Sequence, residues 1–443
     1  MKKETIIEII IVICLIAILV GLLFYFKGLR KNNSNQTIPN NKDNIQEQTS
    51  NVQAKGSKEV DGTLETLSES YTTSNADEST ILVKNSASAT ISGAEVSKTG
   101  GDSTNTENSE FYGINSGVLV TSDSTAIIKE SNITTNARGS NAVFSTGSNS
   151  RIYISNSNIT TTGSSSARGL DATYGGYIEA DNVNIKTTGG SCATLATDRG
   201  EGTIIAKNSK LETNGSGSPV IYSTGDISIS NTTGTANGSQ MVVIEGKNSA
   251  TVTDSTLSAS GLGNRGETDK AGIMIYQSMS GDASEGTGTF NATNSKLSIQ
   301  ANSSVYKTAP MFFVTNTNAV INLTKCTLSY GSNVLISSKG TTQWGNSRSN
   351  GGNTTLNANE QTLEGNIDID NISTLSMNLN NSSYTGTINS ANTAKEIKIK
   401  LDKNSKITLT GDSYITSIED EDETYSNINF NGYKLYVNGT AIN

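Results

Sequence analysis

The chain repeats itself, and that constrains its fold more than any other feature. An eight-residue unit recurs: apolar, any, apolar, two polar residues, Ser or a substitute, one polar residue, apolar. Copies stand at Ile152–Ile159, Ile178–Ile185, Ile204–Leu211, Ala250–Leu257 and Ile321–Leu328. The middle apolar residues of successive units, Ile154, Ala180, Ala206, Ile229 and Val252, are spaced by 26, 26, 23 and 23 residues. Apolar residues alternate inside each unit, the signature of a strand with one buried face. A second short apolar strand precedes each unit, as in Ala142–Phe144, Thr194–Ala196, Pro219–Tyr222, Met241–Ile244 and Met311–Val314. Glycine turns such as Gly147, Gly175, Gly200, Gly225 and Gly246 separate the two.

A period of this length, with two or three short strands, is one coil of a parallel β-helix. A single coil cannot bury its inward side chains, so coils stack and share one narrow core. A core of that shape explains how 443 residues fold with 33% hydrophobic content. Ladders of Ser, Thr and Asn at the turns are expected to hydrogen-bond from coil to coil. Cys192 and Cys326 would then lie some five coils apart, roughly 24 Å along the axis at ~4.8 Å per coil. A disulfide needs Cα atoms within about 7 Å, so both are expected to be unpaired.

Before the repeats, residues 9–26 are an unbroken apolar or small run, IIIVICLIAILVGLLFYF. With Ile6 and Ile7 it reaches the length of a membrane-spanning helix, about 20 residues. It ends in Phe24-Tyr25-Phe26-Lys27 rather than in a small-residue cleavage site, which reads as an uncleaved anchor. Lysines and arginine flank both ends, so charge leaves the orientation open, and the extracellular-looking composition places the bulk outside. The organisation expected is a stub over 1–5, an anchor over 6–26, a flexible polar linker over 27–58, and a β-helix with a C-terminal cap over 59–443. The start Thr5-Ile6-Ile7-Glu8 also resembles type IV pilins, in which Glu8 would neutralise a neighbouring subunit's amino terminus. Lys3 departs from that pattern, standing where the family's processing site has glycine.

Composition removes several function classes. The chain contains no histidine, which excludes His-based acid–base chemistry, Ser-His-Asp and Cys-His nucleophiles and most zinc sites. A formal charge of −9 argues against a nucleic-acid partner, which needs clustered Lys and Arg.

Insertions break the period at Lys98–Glu110, at Gly261–Lys270 with Ser278–Gly288, and at Lys339–Gly352. On a solenoid these project as loops, often toward the ligand side. The third holds the single tryptophan, Trp344, expected to be an exposed aromatic that stacks on sugar or caps a coil edge. Arg168, Asp171, Tyr174, Asp198, Arg199 and Glu245 cluster on neighbouring coils. Aligning LDATYG, LATDRG and VIEG puts the three acids in neighbouring but different columns of one face. That arrangement fits coil-to-coil salt bridges on a solvated face, or glycan or ion binding. The acidic run Glu419–Glu423 lacks the glycine turn of a specific calcium loop and reads as a solvated turn, with calcium left possible and no other cofactor or metal expected.

The phrases Phe111-Tyr112-Gly113, Arg168–Gly176, Ala193–Gly200, Ser239–Asn248, Ile275–Ala283 and Leu409–Tyr414 resemble right-handed parallel β-helix proteins of the pectin-lyase-like superfamily. They are most similar to membrane-anchored, adhesin-like members from Gram-positive gut bacteria. The resemblance spans roughly residues 80–443. It implies a surface protein with an adhesive or glycan-binding role; with the anchor and the clustered side chains read above, the expectation is a single-pass membrane protein with its β-helix extracellular, binding polysaccharide or host glycan through Arg168, Asp171, Tyr174, Asp198, Arg199, Glu245 and Trp344. No catalytic motif of the superfamily carries over residue by residue. A pilin-like filament subunit and a polysaccharide lyase or hydrolase are the alternatives.

Overall fold

The structure, a computed structural model, describes residues 52–266 and 268–443. The stub, the apolar run and most of the linker lie outside these. Among the described residues no helix is long and apolar enough to cross a membrane.

Through most of the stack each coil contributes one strand to each of three parallel sheets, and the last coils place their third strands, Thr362–Glu364, Ser383–Gly386, Lys406–Leu409 and Ile428–Asn429, in a separate parallel sheet. Sheet one has 12 strands, from Gly56–Asp61 to Asn366–Ile369; sheet two has 14 and sheet three has 10. Ile154 pairs with Ala180, Ala180 with Ala206, Ala206 with Ile229 and Ile229 with Val252. The periodic residues of the sequence are therefore stacked in register in sheet two, and the chain is a parallel β-helix solenoid. The apolar strands that precede them form sheet one. Inward residues of all three sheets, among them Ile81, Ile128, Ile152, Ile204, Ile275 and Leu323, make one core that runs through the stack. The first strand starts at Gly56, and Val52 and Ala54 already pack against the solenoid, so it begins ahead of the expected boundary at 59.

The invariant spacing inside the repeat unit has a physical cause in the turn from sheet two to sheet three. The first of its two residues takes positive φ, as at Asn156 (49°), Asn182 (55°), Asn208 (55°) and Asn231 (48°), where Asn is better tolerated than most residues. Their amides bond along the axis, Asn182 Nδ2 donating to Asn156 Oδ1 at 2.7 Å and Asn231 Nδ2 to Asn208 Oδ1 at 2.7 Å. The second is the Ser position. Its side chain turns inward and accepts from the backbone N–H of the preceding coil: Ser131 N to Ser157 Oγ (3.1 Å), Val183 N to Ser209 Oγ (3.1 Å), Thr232 N to Ser255 Oγ (3.0 Å). A buried N–H that the sheets leave open is thus satisfied by a hydroxyl. Cys326 occupies one such position, and its N–H donates to Gln361 Oε1 at 2.7 Å. Cys192 and Cys326 are both buried and unpaired, as the coil spacing requires.

Sheets two and three alternate buried and open side chains. Sheet one does not. Val143–Thr146, Leu170–Thr173, Val242–Glu245 and Phe312–Thr315 are buried on both faces. The cover comes from the insertions, each of which leaves the solenoid at one end of a sheet-one strand. Lys98–Glu110 and Gly261–Lys270 precede such strands; Ser278–Gly288 and Lys339–Gly352 follow them. The first insertion forms the short, roughly two-turn helix α1 (Thr106–Tyr112), capped by Asn105, which accepts from Glu107 N, and ended by Gly113 at φ 66°. At the far end, Leu435–Val437 pairs with Ser413–Ile415 and folds antiparallel onto Thr440–Ala441, closing the last coil.

Candidate functional site

Two ladders of outward side chains run along sheet one beneath the insertions. The first is Leu82, Leu119, Phe144, Asp171, Ala196, Tyr222, Val243, Met274 and Phe313, paired coil to coil. Asp171 is the one charged member of this stretch, set between Phe144 and Ala196; the ladder runs on to Glu59 at one end and, through Ser337, to Asp368 at the other. The second lies two residues further along each strand and includes Thr173, Asp198, Thr224, Glu245, Tyr276 and Thr315. Asp198 and Glu245 therefore share a column, and Asp171 is in the other; the alignment that gave each acid its own column is corrected by the register.

Arg168, at the entry to its strand, bridges the ladders. Its Nη1 lies 2.7 Å from Asp171 Oδ2 and its Nη2 2.8 Å from Asp198 Oδ2, and all three side chains are nearly inaccessible to solvent. The expectation of a solvated face is thus overturned, because α1 and the loops roof this part of sheet one. Burial pushes the Asp171 carboxyl up to about 7 and that of Asp198 up to about 6, against the pull of Arg168. Burial also works against the charge on Arg168, but Asp171, Asp198 and Glu110 together hold it protonated. Asp171 Oδ1 has no hydrogen-bond partner.

One step further along the axis, Tyr222 and Tyr276 both donate to Glu245 Oε2, at 2.7 and 2.8 Å. Glu245 is 1% exposed, and its Oε1 has no partner. Burial first, then the neighbouring charges, raise both tyrosine hydroxyls well above their usual range, so they remain donors at neutral pH. Gly246 follows at φ 72°; a Cβ there would stand 2.3 Å from Ser284 O, so the turn that ends the Glu245 strand requires glycine.

These side chains form the floor of a cleft of about 330 Å³. Arg168, Tyr222, Val243, Glu245, Met274 and Tyr276 line it from below. Asn264, Arg265 and Asp269 close one side, Ser278, Ser280 and Asp282 the other, and Trp344 one end. Asp282 is held by Arg199, whose Nη2 lies 2.6 Å from Asp282 Oδ1 and whose guanidinium sits 3.8 Å above the Phe111 ring. One arginine thus ties α1 to the second insertion.

Trp344 does not project into solvent as expected. It is 7% exposed, packs with Val243, Ala271, Met274 and Phe313, and meets Tyr276 edge-on at 5.1 Å. Its loop folds back because the ladder beneath it is apolar. Of the residues singled out in the sequence, Arg168, Glu245 and Trp344 line the cleft, Asp171 and Asp198 lie behind Arg168, and Arg199 secures the rim. Tyr174 is elsewhere, stacked on Tyr112 of α1 at 5.5 Å. Tyr222, Tyr276, Arg265, Asp269 and Asp282 were not singled out. Register along the second strand would have found the two tyrosines, whereas the loop residues carry no periodic signal.

Among the described residues no group of three or more Cys, Asp or Glu side chains is placed to hold a metal ion. In the acidic run, Asp422 accepts from Ser426 and Thr424, and these bonds lower its carboxyl to about 2. The chain matches no protein-family model, no curated protein and no solved structure.

Proposed function

We propose that this chain is a surface-displayed glycan-binding protein, with a right-handed β-helix carrying the sheet-one cleft and the apolar run at 6–26 anchoring it to the membrane. The observation that carries this reading is the grouping of Tyr222, Tyr276 and Trp344 with the part-unpartnered carboxylate of Glu245 in a single cleft. Sugars present apolar C–H faces and hydroxyl edges; aromatic rings receive the first, and carboxylates, amides and hydroxyls the second. Glu245, Gln240 and Asn264 supply the polar groups, and about 330 Å³ holds a short stretch of glycan, near the small end of ligand pockets at roughly 300–1,000 Å³. The cleft is assembled from insertions on a rigid stack, the usual place for binding residues. The adhesin-like role that the sequence resemblance implies agrees with this reading.

The test exposes the full-length protein to plant, mucin and bacterial polysaccharides, recording both retained protein and newly released reducing or unsaturated ends. Retention without new ends is the expected result. Release of ends would make the protein a lyase or hydrolase, and failure to be retained by any polysaccharide would refute the reading.

A further inference from the structure

We infer that the glycan unit selected by the cleft carries a free, protonated amine; this rests on the glycan-binding reading above. Among the described residues, five carboxylates line the cleft or bond directly to its wall: Asp171, Asp198, Glu245, Asp269 and Asp282. Three guanidiniums face them, those of Arg168, Arg199 and Arg265. Arg168 is already shared between Asp171 and Asp198, and Arg199 is committed to Asp282, so neither guanidinium is paired with Glu245.

The walls are also suited to a cation. Arg168 lies 5.9 Å from the centroid of the Tyr222 ring and Arg265 lies 6.0 Å from that of Trp344, so positive groups are already drawn to the ring faces at this site. Glu245 provides a fixed point. Two tyrosine hydroxyls hold one of its oxygens, while the other is enclosed with no partner from the protein. A buried carboxylate oxygen in that state favours a charged donor over a neutral hydroxyl. An ammonium on a hexosamine ring supplies that donor and leaves the ring's apolar face for Tyr222, Tyr276 or Trp344. N-acetylation removes the charge and adds bulk. A uronic acid brings a charge of the wrong sign.

The experiment is calorimetric titration of the full-length protein with a chitosan oligomer, its fully N-acetylated counterpart and a cellulose oligomer of equal length. The chitosan oligomer is expected to bind at least about tenfold tighter than either of the others, and to lose affinity as salt is raised. Glu245→Gln keeps the shape and an acceptor for the tyrosines, and should reduce that preference to about threefold or less. Glu212→Gln, on sheet three away from the cleft, should leave it unchanged, which separates selection at the cleft from attraction to an acidic protein. If Glu245→Gln does not fold, the salt dependence and Glu212→Gln still decide. Equal or tighter binding of the acetylated or neutral oligomer would overturn the inference and leave the glycan reading standing. A preference abolished by Glu212→Gln would also overturn it. No binding of any oligomer, with no retention on the polysaccharide panel, would remove both.

Discussion

Arg168 carries more of this molecule than its single position suggests. Its guanidinium neutralises Asp171, placed in an otherwise uncharged stretch of its ladder, and Asp198 on the next coil. Removing it strands two buried carboxylates, so Arg168→Ala should cost about 3–5 kcal/mol, read as a lowered denaturant midpoint. A loss below about 1 kcal/mol would mean that water reaches the cluster. The same cluster sets a pH dependence. Asp171 and Asp198 hold their protons more tightly folded, at about 7 and about 6, than at their ordinary value of 3.8. Each therefore adds stability that is full below 3.8 and lost as pH rises through its folded value. Carboxyls that the fold shifts downward, such as Asp77, Asp402 and Asp422, act below this window. The melting temperature should fall as pH is raised from 5 to 8, and Asp171→Asn should flatten that slope; an unchanged slope in the variant would place its origin elsewhere. Sequence reasoning found Arg168, Asp171 and Asp198 as a group but placed them in solvent. The continuous apolar runs Met241–Ile244 and Met311–Val314 were the available sign that sheet one is covered on both faces, since a strand with one wet face alternates.

At the scale of the elements, the repeat unit was legible because each position answers a separate physical demand. Alternation fills the core, Asn accepts the positive φ, and the inward Ser caps a buried N–H. Ser209→Ala should leave Val183 N without an acceptor and cost about 1–3 kcal/mol by equilibrium unfolding. Ser228→Ala, on the outer face of sheet two, should fall within about 0.5 kcal/mol. Equal costs would show that the inward hydroxyls are not what ties the coils together. The insertions were legible only as breaks in the period. Where they fold depends on contacts between segments far apart in sequence, such as Arg199 with Phe111 and Asp282. Arg199→Ala should accordingly open the Ser278–Gly288 loop, seen as faster proteolytic nicking there while the sheets remain protected. Nicking no faster than in the parent would show that the loop is held by other contacts.

Over the described residues the protein is a stack whose repetition provides rigidity and whose irregularities provide a site. Sheets two and three show water a periodic polar surface. Sheet one is where the three insertions fold back, and beneath the second and third lies the cleft that holds aromatic rings, buried acids and the single tryptophan. Because Trp344 is the sole tryptophan and lies at the cleft wall, its emission reports on this place and no other. The most direct measurement is tryptophan-selective fluorescence of the full-length protein, titrated with the oligosaccharide that the retention assay selects. A saturable change in Trp344 emission with the same midpoint as the calorimetric binding curve is the result this account predicts. Binding that saturates while Trp344 emission stays constant would place the ligand elsewhere on the solenoid and contradict it.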